Sequence, residues 1–292
     1  MAGRVPLLSH PLPLVPLAIV TSHLPGSVRP IMALLQAMPE TFTEWCPLTD
    51  RRVLAYLVRH AAVLGGGVEP TPEWDHERLF HPPDEQLPAS RLMAGFPAPG
   101  DPALDELGDS PMWSAMLQAN WSHYCERLPT TAAPRFYLEP AGHWMPRALV
   151  MAEMPYRSLL LARDPRSELA ELWLQGRHTG VLPLRVTHVD TPLSLAEREA
   201  NGTVRDRLAD LARVEASDEQ MCIRYEDVVE QPAATWHRLR RWLQLPECEA
   251  PPPTPTGHEW PPARWRAALP TSVDAVYRKR MASQMEALGY GL

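Results

Sequence analysis

Lysine is almost absent from this chain. Among 28 lysines and arginines, Lys279 is the single lysine. Chemistry that elsewhere relies on a lysine must here use arginine or be missing. A nucleotide kinase, which needs a G-K-[ST] lysine in its phosphate loop, is argued against on that ground. Cysteine is also scarce: Cys46, Cys125, Cys222 and Cys248 stand apart, with no C-x-x-C pair. That argues against a disulfide framework or a structural zinc site, and for reduced thiols in a cytoplasmic setting. There is no excess of positive charge; the formal net charge is −7, against the basic face a nucleic-acid binder needs. No apolar run reaches the roughly 18–20 residues that span a bilayer, so no membrane segment is expected. The opening "MAGRVPLLSHPLPLVPLAIV" sets Arg4 ahead of an apolar stretch, but four prolines interrupt it. It reads better as a loop leading into a core strand than as a targeting segment.

What is present is a chain of 292 residues, 45% hydrophobic, with 34 prolines and 10 tryptophans. That is enough for a sizeable core. Short apolar segments at 17–20, 136–138, 158–162 and 220–224 read as buried strands. Helical patterns lie at 31–38, 51–64, 111–127, 147–153, 167–175, 195–215, 233–244 and 272–288. Strands alternating with helices predict an α/β fold with a parallel sheet. A single domain over 1–292 is expected, with a proline-rich insertion or lid at about 65–102.

The segment "LAIVTSHLPGSVRPIMALLQAMPE" (Leu17–Glu40) reads as strand, tight loop and helix, the layout of an anion site at a helix N-terminus. Gly26 permits a tight turn and Ser27 can cap the helix. Further along, "LLLARDPRSELAELW" ends a strand at Arg163, Asp164, Pro165 and Arg166. The C-terminal edge of a parallel strand is where ligands sit, and arginines there offer paired donors to phosphate or sulfate. The plainer alternative is that Arg163 and Asp164 pair to cap the next helix. In "QMCIRYEDVVEQPAATWHRLRRWLQLPE", Tyr225 ends a strand and can stack on a base or seal a pocket, whereas Glu226 and Asp227 suit helix capping. Near the end, Arg264 and Arg266 flank Trp265, as a basic clamp or as surface charge.

Taken together, this order resembles the sulfotransferases that use 3′-phosphoadenosine 5′-phosphosulfate (PAPS), above all their bacterial and protein-modifying branches. Those proteins carry R-D-P-R after a core strand, R-Y-E-D-L-V-x-x-P before a helix and "LGLP", then a late R-W-R and a terminal "LGY". Here these are Arg163–Arg166, Arg224–Val228 with Pro232, Leu245–Pro246, Arg264–Arg266 and Leu288–Tyr290. The resemblance implies the sulfotransferase fold, a P-loop-type parallel sheet flanked by helices, and sulfuryl transfer from PAPS to a hydroxyl or amine of a small molecule, as in secondary metabolism. It implies no metal. Oligomeric state is open, a homodimer included.

The same resemblance places the 5′-phosphosulfate loop at residues 21–30, usually of the form T-S-Y-P-K-S-G-T-T-W. Thr21, Ser22, His23, Gly26, Ser27, Val28 and Arg29 then line the anion, with Arg163, Ser167, Tyr225, Arg264 and Arg266 around the nucleotide. Three departures stand out. Pro25 falls at the basic residue, leaving Arg29 to fold back in its place. In "FYLEPAGHWMP", Glu139 stands at the lysine of K-T-P-x-H and His143 at its histidine. The serine eight residues after the R-D-P-R arginine, a partner of the 3′-phosphate, is Glu171. For a general base, "PETFTEWCPL" offers Glu44, whose neighbours Trp45 and Cys46 raise its pKa if it is buried; His23 and His143 are alternatives. Two other readings stay open. The fold can serve another reaction without PAPS, or tryptophans such as Trp74, Trp113 and Trp260 can form an exposed patch for a partner chain.

Overall fold

A computed structural model describes residues 14–20, 28–44, 52–64, 111–128, 134–141, 145–179, 191–246 and 264–291. The expected insertion at about 65–102 lies outside them. Five strands, β1 (Val15–Val20), β2 (Thr41–Phe42), β3 (Phe136–Ala141), β4 (Arg157–Ala162) and β5 (Gln220–Arg224), form one sheet in the order β2-β3-β1-β4-β5. β1 pairs in parallel with β3, Val15 opposite Phe136 and Val20 opposite Ala141, and β2 pairs in parallel with β3. The chain is therefore α/β with a parallel sheet. It divides into two compact units, Met1–Thr21 with Leu35–Leu159, and Ser22–Leu34 with Leu160–Leu292.

In the first unit, α2 (Val53–Leu64) packs on α3 (Pro111–Glu126), and α4 (Met145–Met151) follows β3. α1 (Val28–Gln36) begins in the second unit and ends in the first. Its Ile31, Met32, Leu34 and Leu35 are buried, and Pro30 falls in the first turn, where no N–H is required. The core of the first unit gathers Ala18, Leu54, Val58, Trp113, Leu117, Trp121 and Tyr137. Trp121 Nε1 donates to Leu14 O at 3.1 Å, and Gln118 Nε2 to Ala152 O at 2.7 Å. The side-chain donors of these two residues are thereby satisfied. Trp113 is fully buried, so it forms no exposed aromatic patch; Trp74 and Trp260 lie outside the described residues.

The second unit carries α5 (Pro165–Thr179), α6 (Pro192–Ala200), α7 (Thr203–Ala212), α8 (Tyr225–Glu230), α9 (Pro232–Trp242), α10 (Trp265–Ala268) and α11 (Thr271–Ala287). The long helical pattern over 195–215 is in fact two helices. Asn201 ends α6 with its N–H shared between Arg198 O and Glu199 O, and Gly202 opens α7. Leu169, Leu195, Ala196, Leu208, Val273, Tyr277 and Met281 form this unit's core.

Two helix ends here have the same hydrogen-bond pattern and different chemistry. After α11, Tyr290 N donates to Met285 O and Gly289 N to Glu286 O, with Gly289 at φ 75°. After α9, Leu245 N donates to Arg240 O and Gln244 N to Arg241 O, with Gln244 at φ 55°. Both are left-handed helix terminators, in which glycine escapes the steric cost that other residues meet. A Cβ on Gly289 would also meet Arg224 Nη1 at 3.0 Å. Gly289→Ala is expected to lose about 1–2 kcal/mol, and Gln244→Gly to gain about 0.5–1 kcal/mol, as read by urea unfolding.

Candidate functional site

The R-D-P-R turn lies between β4 and α5. Asp164 Oδ1 accepts from Arg166 N at 2.9 Å, so Asp164 caps α5, and it grips the Arg166 guanidinium as well. Capping thus pairs Asp164 with Arg166 and not with Arg163. Arg166 is 2% exposed. Its Nη1 donates to Asp274 at 2.8 Å and its Nη2 to Gly291 O at 2.9 Å, and its plane lies 4.2 Å from the Trp265 ring centre. Asp164 N donates to Glu226 Oε1 at 3.0 Å. Arg224 Nε donates to both Asp227 oxygens at 3.1 Å, and its Nη1 to Gly289 O at 2.9 Å. The R-D-P-R, R-Y-E-D, R-W-R and LGY segments are thereby linked to one another, and most of their polar residues serve as fold-holding pins.

Arg163 and Tyr225 are brought together: the guanidinium lies 4.4 Å from the ring centre. Arg163 is nevertheless turned inward. Its Nη1 donates to Glu171, and both side chains of this ion pair are 1% exposed. Burial opposes the charged guanidinium, but Glu171 and Glu168 beside it outweigh that and hold its pKa above the ordinary value. Glu168 Oε1 and Glu226 Oε2 are buried and accept no hydrogen bond. Burial pushes both carboxyls up to about 7, against Arg207 and Arg163 at Glu168 and against the Asp164 N–H at Glu226.

In the first unit, Glu139 is fully buried and turned to the N-terminus of α2. Its Oε2 accepts from Leu54 N at 2.7 Å and its Oε1 from Ala55 N at 2.8 Å, and Tyr137 Oη donates to Oε2 at 3.4 Å. The acid at the expected lysine position is therefore a helix cap supplied from a distant strand, favoured by the helix dipole. Glu44 is partly buried beside Tyr124. Burial, with the Glu44 charge adding to it, raises the Tyr124 phenol well above its usual range. Tyr124 and Tyr137 meet edge to face with centroids 5.8 Å apart.

The remaining expected residues divide as follows. Thr21, Ser22, His23, Gly26, Ser27 and His143, with Trp45 and Cys46, lie outside the described residues. Val28 is buried at the first position of α1, and Arg29 next to it is exposed. Ser167 is buried in the first turn of α5, its N–H donating to Asp164 O at 2.9 Å. Arg264 and Arg266 are exposed on either side of buried Trp265. Arg29, Arg163 and Arg264 do not share one open cleft, because Arg163 is sealed from solvent. Asp274, Gly291, Glu168 and Arg207 carry no motif, and only tertiary contact reveals them. No group of His, Cys, Asp or Glu among the described residues suits a metal, and none of their helices is long and apolar enough to cross a membrane.

Neither a family model nor a curated protein matches the sequence. Among solved structures, the chain is similar to a sulfotransferase domain from the curacin biosynthetic pathway. The identity is 14% over 97% of this chain and 100% of that one, with a TM-score of 0.43. A sulfotransferase domain from the Synechococcus PCC 7002 olefin synthase is 15% identical over 98% of each chain, with a TM-score of 0.43. A sulfotransferase from Mycobacterium avium is 13% identical over 97% of this chain and 79% of that one, with a TM-score of 0.46. Identities this low assign neither a ligand nor a catalytic residue.

Two outcomes follow from this chemistry. Glu139→Ala strands one buried and one part-buried N–H group at the start of α2 and is expected to cost about 1–3 kcal/mol in urea unfolding; Glu139→Gln keeps an acceptor and is expected to cost less. Glu168 and Glu226 bind a proton more tightly when folded (about 7) than at the ordinary value of 4.5. Their contribution to stability is fully present below about pH 4.5 and is lost as pH rises through about 7. Melting temperature measured between pH 5 and pH 8 is expected to fall, with a shallower fall in Glu168→Gln.

Proposed function

We propose that the protein is of the sulfotransferase type but does not use PAPS, its site serving another ligand or reaction of a small molecule. The observation that carries this reading is the buried Arg163–Glu171 pair. These two positions are the ones that the sequence resemblance assigns to the donor's 3′-phosphate. A phosphate brought to Arg163 would have to displace a carboxylate already bonded to it and then stay beside that carboxylate. Two like charges about 4 Å apart repel by about 4 kcal/mol at an effective dielectric constant of 20, roughly a thousandfold in affinity. Residues 163 and 171 thus do not fit a 3′-phosphorylated nucleotide.

A second reading, sulfuryl transfer from PAPS to a hydroxyl or amine, is favoured by the linked R-D-P-R, R-Y-E-D, R-W-R and LGY segments. In it Arg29 stabilises charge on the departing phosphate and Glu44 or His143 takes the acceptor's proton. Titration calorimetry with adenosine 3′,5′-bisphosphate separates the two. The first reading expects no heat at millimolar ligand with the native protein, and measurable binding once Glu171→Ser releases Arg163. Micromolar binding to the native protein would overturn it and restore the second.

A further inference from the structure

The second unit holds a cavity of about 10 Å³, lined by Arg163, Glu168, Val204, Arg207 and Leu208. That is close to the room one water needs, about 10–15 Å³ for its centre. Its wall is mixed. Val204 and Leu208 are apolar, whereas Arg163, Glu168 and Arg207 are the charged residues that line it. Glu168 as a residue is only half-buried, yet its Oε1 is sealed from solvent and accepts no hydrogen bond. A buried carboxyl oxygen without a donor is costly, and native structures meet that cost with an ordered water when a polar cavity adjoins it.

The chemistry of the lining selects the occupant. Two arginines repel a metal cation. The carboxylate Oε1 repels an anion, and a halide is larger than the space. A water molecule is neutral, donates to a carboxylate and accepts from a guanidinium N–H, which is the combination the wall presents. We propose that this cavity binds a single water molecule, which donates to Glu168 Oε1 and accepts from Arg163 or Arg207. The site is independent of any donor nucleotide. It makes the surroundings of the Arg163–Glu171 pair hydrated on one side and dry on the other, with Tyr225 covering the guanidinium face.

Val204→Ile adds one methylene at the cavity wall and tests the site in the full-length protein. With a bound water, the extra carbon expels it and strands Oε1, and the melting temperature is expected to fall by about 2–4 °C. With a dry cavity, the same carbon fills a void and the melting temperature holds or rises, which would overturn the proposal. Overpacking alone also lowers the melting temperature, so the substitution is repeated in a Glu168→Met background, where no carboxyl oxygen is left to strand. The bound water requires the loss to shrink there; an equal loss in both backgrounds rejects it. Oxygen-17 relaxation dispersion gives an independent count. The native protein should show one more long-lived internal water than Val204→Ile, and equal counts reject the site.

Discussion

Arg166 cannot be buried alone. Removing a guanidinium from water costs several kcal/mol unless good geometry returns it, and at 2% exposure Arg166 has no water to fall back on. It is matched by the Asp164 carboxylate, the Asp274 carboxylate, the Gly291 carbonyl and the face of Trp265. Those partners come from the turn before α5, from α11, from the segment after α11 and from α10. One side chain therefore sets where four separate stretches of the second unit must lie. Arg224 repeats the device on a smaller scale, joining the end of β5 to α8 and to Gly289.

That economy explains what could be read in the sequence. The strands at 17–20, 136–138, 158–162 and 220–224 are legible because uninterrupted apolar runs have few alternatives in a chain this size. The two-residue strand β2 is too short to leave a pattern. The break between α6 and α7 was signalled by Asn201-Gly202, but the apolar period on either side suggested one helix. The ordered motifs were legible as well, although their meaning shifted. Asp164, Arg166 and Asp227 looked like ligand-binding candidates or local caps, and the partners of Arg166 lie up to 125 residues away. Asp274 and Gly291 show no periodicity and no local signature, so nothing in the linear order marks them as partners of Arg166.

Glu139 and Glu171 share a logic. Each is an acid at a position where the resemblance leads one to expect a group that contacts a negatively charged ligand, and each is fully engaged by the protein itself. Glu139 accepts two N–H groups at the head of α2, and Glu171 accepts from Arg163. An internal carboxylate fills each electrostatic role, so both elements stay ordered without any bound anion. Each acid stabilises the element it contacts.

The bond from Arg166 to Gly291 also dictates an order of assembly. Arg166 is made 125 residues before its last acceptor, and until that acceptor exists its guanidinium has an incomplete set of partners. The β4–α5 turn, although synthesised near the middle of the chain, cannot reach its final packing while the ribosome still holds residue 291. Closure of the second unit therefore waits for residue 291, whereas the first unit between Leu35 and Leu159 has its own core residues in hand much earlier.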